Sequence, residues 1–360
     1  MGPRYQKTLF IQGAGLGGRP AREDATESAL GRGVDGVPWE IMPLVASFVA
    51  HVGRLWGRRF WLPLLPLGYV IVMSLLGHFR WEYVLVAGGT LVAAYATTRS
   101  RDFISDVAPY VLFTILYDLV KYVIDATITS QRVVTCGLRD LELALFSVAP
   151  GVTPQDYFMR YPTPALDLVF AVPYGVFFAV VFLYGGYLFR VDRPRMRYFL
   201  WSFAIANILA FVFWVALPAA APWYVRNHGC VADLTTAPYA AGLLRVDRMI
   251  GFPYFESFYA RASQVFGAVP SMHCAYPTLG LLTAWRFAGP VARSAHVLYV
   301  LTMFSASVYL DHHWIVDGIL GWLLAVVAVL VTRRMFARLS WPVSAQLVGK
   351  TEAGKALLTA

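Results

Sequence analysis

Charge is what this 360-residue chain has least of. Asp, Glu, Lys and Arg supply 14% of it, while hydrophobic residues reach 58% and aromatics 15%. Soluble globular proteins carry roughly 25% charged residues. Lysine is nearly missing, with four of the 30 basic residues. Three cysteines are too few for a disulfide scaffold or a zinc framework. No apolar core follows Met1, so no signal peptide is read. Met1-Gly2 opens like a myristoylation site, but Gln6 stands where Ser or Thr is needed. GAGLGG at 13–18 has no strand before it and no helix pattern after it, so it is not a dinucleotide fingerprint. These deficits exclude a disordered chain, a nucleic-acid module and a soluble enzyme. A mean hydropathy of +0.57 leaves an all-α polytopic membrane protein. The net charge of +9 then concerns which loops face the cytoplasm and is no DNA footprint.

Hydrophobic runs organise the chain. Residues 1–36 have no apolar periodicity and read as a mobile tail. Residues 37–57 are moderately apolar with Glu40, His51 and Arg54 interspersed, which suits an interfacial amphipathic helix. A span needs about 20 apolar residues. Eight segments are candidates: 60–77, 82–97, 103–124, 165–189, 198–217, 271–287, 291–310 and 314–333. The catalytic membrane domain would run over 58–338, with a cytoplasmic tail at 339–360. Residues 128–164 and 218–270 are polar enough to lie outside the bilayer, with 252–268 as an amphipathic segment along its surface. Trp61, Trp81, Trp201, Trp223, Trp314 and Trp322 fall at span ends, as an interfacial belt does.

Short arginine clusters set the orientation. RVDRPRMR at 190–197 is the densest, and Arg99, Arg101, Arg286, Arg293, Arg333, Arg334 and Arg338 fall on the same side. Both termini are therefore expected in the cytoplasm. The scarcity of lysine beside arginine fits a GC-rich bacterial genome, hence a bacterial inner membrane. Cys136 and Cys230 both fall on the outer side, where a disulfide can form. Cys274 falls inside a span.

Ionisable groups at membrane depth are functional candidates. Pro270-Ser271-Met272-His273 opens the sixth candidate span, and Asp311-His312-His313-Trp314-Ile315-Val316-Asp317 opens the eighth. The charge count puts both at the same, non-cytoplasmic face. His313 and Asp317 are four apart, hence on one helical face. The carboxylate can hold the proton of one ring nitrogen and leave the other as a nucleophile. His273 can act as general acid toward a leaving oxygen. Two histidines and one carboxylate, without further metal ligands, suit phosphoryl transfer. No metal and no cofactor are expected.

PSMH at 270–273, HHWIVDGILG at 312–321 and LPAAAPWYV at 217–225 resemble motifs of the type 2 phosphatidic-acid phosphatase superfamily. They are most similar to its inositolphosphotransferase-like branch, the group of the inositol phosphorylceramide synthases. The resemblance covers roughly 165–335. It implies a six-helix membrane core, here with an extra N-terminal helix pair. It also implies transfer of phosphoinositol from phosphatidylinositol to ceramide through a phosphohistidine, with membrane lipids as the partners. The departures concern the phosphate clamp. The superfamily's phosphatases carry Lys-x6-Arg-Pro, but Gly186 precedes Arg193-Pro194 at the lysine position. They also carry Arg six residues before the nucleophile, where this chain has Ser307. This favours a transferase over a phosphatase that uses water.

The phosphate-holding cation is then open. Lys121, near Tyr117 and Asp118, is the first candidate, and Arg261 and Arg226 are alternatives. Asp118 and Lys121 could equally neutralise each other. Ser271 suits a helix cap or a phosphate contact at a helix N-terminus. His312 suits either the site or a loop carbonyl. Asp167 and Tyr174, seven apart on one helical face, suit a polar lining or bundle packing.

Overall fold

A computed structural model describes residues 42–260 and 265–344. The expected tail at 1–36, residues 37–41 of the interfacial segment, Arg261 and most of the C-terminal tail lie outside the described residues. The chain divides into two compact units, Met1–Leu62 and Pro63–Ala360. The first holds α1 (Met42–Trp56), whose apolar positions recur at helical spacing.

The second unit holds the other described α-helices. α2 (Leu65–Leu75) and α3 (Trp81–Ala96) form the N-terminal pair and lead into α4 (Thr98–Thr127). α5 (Cys136–Phe146) and α6 (Pro154–Arg160) are short helices outside the bundle. α7 (Pro164–Gly175) and α8 (Phe177–Val191) are one apolar stretch bent by 51°. α9 (Arg193–Ala216) returns through the bundle, and α10 (Pro222–His228), α11 (Leu244–Ile250) and α12 (Tyr254–Tyr259) are again short. α13 (Met272–Ala284), α14 (Pro290–Tyr309) and α15 (Ile315–Arg338) complete the chain. No strand occurs among the described residues. Single parallel bridges join Val134 to Ala219 and Ala219 to Gly267.

Eight spans were expected from hydropathy. Four described helices are long and apolar enough to cross a membrane, or five if α7 and α8 count as one. The shortfall has physical reasons. Pro173 removes a backbone donor where α7 gives way to α8. α13 has only 13 residues, ten of them buried, because it is the bundle's central element rather than a lipid-facing one. α2 and α3 stop at 11 and 16 residues. Among the described residues of the expected amphipathic segment at 252–268, a helix forms over Tyr254–Tyr259.

Helix ends follow local chemistry. Thr97 Oγ1 accepts the Ser100 amide at 3.1 Å to start α4, and Asp192 Oδ1 accepts the Arg195 amide at 3.2 Å to start α9. α13 packs on α9, α14 and α15. Two glycines allow the closest approach. A Cβ at Gly321 would lie 2.3 Å from the Ser271 carbonyl oxygen, and one at Gly318 would lie 2.6 Å from the Phe304 ring. Bare backbone at these two positions lets the start of α15 sit directly on the start of α13.

Candidate active site

That approach joins the two motifs. The Ser271 amide donates to the Asp317 carbonyl at 3.0 Å. His273, in the first turn of α13, then meets His313, just before α15. Their Nδ1 and Nε2 atoms are 3.1 Å apart. His313 Nδ1 faces two acceptors, the Ala268 carbonyl at 3.0 Å and Asp317 Oδ2 at 3.5 Å. It therefore carries the ring proton. Nε2 presents its lone pair toward His273, whose Nδ1–H donates to it. Asp317 is fully buried and also accepts the Trp314 amide at 2.9 Å, so it caps α15 and steadies the imidazole at once.

The histidine loop is fixed backbone by backbone. The Ser307 carbonyl accepts the amides of both His312 and His313, at 3.1 and 3.0 Å. Trp314 Nε1 donates to the Ala220 carbonyl at 3.0 Å. The loops at 134, 219–220 and 266–268 are stitched together by main-chain bonds, so the carbonyls holding His313 and Trp314 share one support.

Two polar groups that sequence reasoning missed brace this loop from α5 and α6. Glu142 and Gln155 are fully buried. Glu142 Oε1 accepts the Ile315 amide at 2.9 Å and Gln155 Nε2 at 2.8 Å. Gln155 Nε2 also donates to the His313 carbonyl at 3.1 Å. Burial pushes the Glu142 carboxyl up, against the pull of Gln155 and the amides at the start of α15. A disulfide between Cys136 and Cys230 ties α5 to the loop after α10.

A second network holds Asp311, whose φ of +66° is unusual for a residue with a side chain. Arg226 grips its carboxylate with Nε and Nη2 at 3.0 and 2.7 Å, and gives Nη1 to Asp156 at 2.6 Å. Arg139 takes the other Asp156 oxygen at 2.7 Å. Burial pushes Asp311 up to about 6, although Arg226 pulls the other way. Burial also works against Asp156, but Arg139, the Thr153 amide and Arg226 together hold it at about 2. Arg226, an alternative phosphate cation, is thus engaged by two carboxylates.

The other expected site residues separate. Tyr174 stacks on His273 at 4.0 Å, nearly parallel, because the α7–α8 bend turns it inward. Phe177 packs on the same imidazole at 4.2 Å. His312 Nε2 meets the Ala240 carbonyl at 3.1 Å, and Tyr259 covers its ring at 4.7 Å. Burial, then the nearby His313, lowers the His312 pKa to about 3. Asp167 is buried but accepts Arg245 Nε at 2.8 Å and the Tyr309 hydroxyl at 3.0 Å. Lys121 pairs with Asp125 at 3.4 Å, not with Asp118, which bonds Tyr69 instead. Ser271 is buried, with no side-chain cap bond and an unpartnered hydroxyl.

A cavity of about 520 Å³ opens beside the histidines. His273, His312 and His313 form its polar end, while Tyr117, Phe178, Trp214 and Tyr276 line its apolar length. No lysine or arginine lines it among the described residues. No described group of His, Cys, Asp and Glu is arranged to hold a metal ion.

Residues 155–331 match the family described as the PAP2 superfamily. The chain is similar to a phosphoinositol dihydroceramide synthase of Bacteroides thetaiotaomicron. The two are 32% identical over 249 residues, covering 67% of this chain and 80% of that protein. It is also similar to an inositol phosphorylceramide synthase of Candida albicans, 31% identical over 168 residues, 46% of this chain and 35% of that protein. The catalytic subunit of the Saccharomyces cerevisiae inositol phosphorylceramide synthase is 28% identical over 173 residues, 47% of this chain and 42% of its own length. The chain thus spans less than half the length of these fungal relatives. No solved structure matches. The paired histidine motifs, the helical bundle that joins them and the extent of the bacterial match together establish that this chain belongs to the PAP2 superfamily.

Proposed function

We propose that the chain is a membrane phosphotransferase that moves phosphoinositol from phosphatidylinositol to the hydroxyl of a ceramide-type lipid. The names of its relatives support the headgroup and the acceptor. One observation carries the chemistry. His313 has its Nδ1 proton held by Ala268 and Asp317 and its Nε2 turned to His273, at the polar end of a largely apolar cavity.

His313 Nε2 attacks the phosphorus of the donor, and the bond to the diacylglycerol oxygen breaks. His273, carrying a second proton once an anionic phosphodiester lies beside it, hands that proton to the departing oxygen. The headgroup phosphate is then bonded to His313 Nε2. His273, now neutral, takes the proton of the acceptor hydroxyl. That oxygen attacks phosphorus and the bond to His313 breaks. Asp317 balances the charge on the His313 ring in both steps. The arginine distribution supports placing this cavity at the non-cytoplasmic face of the membrane, with Arg190, Arg193, Arg195 and Arg197 at the other end.

The experiment is mass spectrometry of lipids formed by purified protein given phosphatidylinositol with ceramide, diacylglycerol or no lipid acceptor. Inositol phosphorylceramide and diacylglycerol are the expected products. Release of free headgroup phosphate with no transfer would instead establish a phosphatase.

A further inference from the structure

Arg195 is the one basic group at its end of the bundle that is both buried and unpaired among the described residues. It stands on the first turn of α9, at the end where α4, α9 and α14 begin and α8, α13 and α15 finish. Its neighbours Arg193 and Arg197 both pair with Asp106. Arg195 is 8% exposed, and its Nε is buried with no hydrogen-bond partner. The nearby Asp192 accepts its backbone amide and the Ser344 hydroxyl. Phe287 lies under the guanidinium at 5.8 Å, an apolar contact that supplies no counter-charge.

Guanidinium does not lose its proton in a protein, and an uncompensated buried charge is costly. The surrounding groups suit an anion. The Tyr184 hydroxyl is also buried and lies beside the Arg195 guanidinium without a well-formed hydrogen bond. His296 sits edge-on to Tyr184 at 5.5 Å, and both lie within electrostatic reach of Arg195. Three donors of this kind, on α8, α9 and α14, match the oxygens of a phosphate. The outer faces of these helices are apolar and exposed at Leu183, Tyr187, Val297 and Leu298, as a surface beside acyl chains would be. The cluster is separate from the histidines. α13 alone, with 13 residues at about 1.5 Å each, puts roughly 20 Å between its two ends.

We propose that Arg195, Tyr184 and His296 bind a phosphate group, that of a phospholipid in the leaflet opposite the histidine cavity. The test uses the full-length chain, delipidated in non-ionic detergent, as wild type, Arg195→Gln and Tyr184→Phe. Dioleoylphosphatidylglycerol is titrated in, and bound lipid is counted by native mass spectrometry. Wild type should hold one more phosphatidylglycerol per chain than Arg195→Gln. Tyr184→Phe should bind that lipid about tenfold more weakly. Dioleoylglycerol, which lacks the phosphate, should not occupy the site. Arg195-dependent thermal stabilisation by inorganic phosphate alone would assign the site to the free anion, whereas stabilisation by the phospholipid alone assigns it to the lipid. Equal lipid counts and equal affinities in all three proteins would overturn the proposal. If Arg195→Gln does not fold, Tyr184→Phe carries the test, because it keeps both charge and volume.

Discussion

The imidazoles of His273 and His313 meet nitrogen to nitrogen at 3.1 Å, although 40 residues separate them. Each controls the other. His273 donates to the atom of His313 that the proposed mechanism uses as nucleophile, so a phosphate entering between the rings would take up both groups together. Asp317 holds the far side of His313 at 3.5 Å, beside the shorter bond to the Ala268 carbonyl.

Because the Ala268 carbonyl also holds the tautomer, Asp317→Asn should lose charge stabilisation and keep geometry. The expected effect is a fall in kcat of about a hundredfold, with KM and the thermal midpoint little changed. Steady-state kinetics in mixed micelles checks it. An unchanged kcat would remove Asp317 from the mechanism.

Glu142 acts on the site through the backbone. Glu142→Ala leaves the Ile315 amide and Gln155 without their acceptor, and should lower kcat about tenfold or more. Glu142→Gln keeps one oxygen for both donors and places its amide where Oε2 has no partner. It should restore most of the rate. Equal losses in both variants would show that charge, and not the acceptor, is what matters.

Arg226→Ala should strand the buried Asp311 carboxylate and leave Asp156 to Arg139 alone. Breaking a buried pair from one side costs about 3–5 kcal/mol. A clear drop in thermal midpoint is expected, and Arg226→Lys should recover only part of it because it lacks the fork that spans both Asp311 oxygens. A midpoint equal to wild type would contradict this reading of the network.

His312 makes stability depend on pH. Its folded pKa of about 3 lies below the ordinary 6.5, so the folded state prefers the neutral ring. Its contribution is complete above about pH 6.5 and is lost as pH falls toward 3. Asp311 changes in the opposite sense between about 6 and 3.8, but it is common to wild type and variant. The thermal midpoint of wild type minus that of His312→Asn should therefore be flat above pH 6.5 and shrink below it. A difference independent of pH would show that His312 is not held neutral.

Much of this was legible in the chain. The apolar runs located the bundle, and PSMH with HHWIVD located the histidine pair, because helical spacing and side-chain chemistry are local properties. Partners made across long loops were not legible. Glu142 lies 173 residues from the amide it accepts, and nothing around it in α5 distinguishes it from a solvated acid. Arg226 and Asp311 were visible separately, but their pairing depends on how the 218–270 segment folds back. Lys121 stood out as the lone lysine of a candidate span, yet its neighbour one turn on, Asp125, takes its charge. The shortness of α13 was hidden because hydropathy cannot separate a helix buried in protein from one buried in lipid.

The central claim is that transfer passes through His313 in two displacements, and the stereochemical course at phosphorus tests it most directly. A donor made chiral at phosphorus with sulfur and oxygen isotopes should give a product of retained configuration, since two in-line inversions cancel. Inversion would mean that the acceptor attacks the donor directly, and the covalent role of His313 would be contradicted.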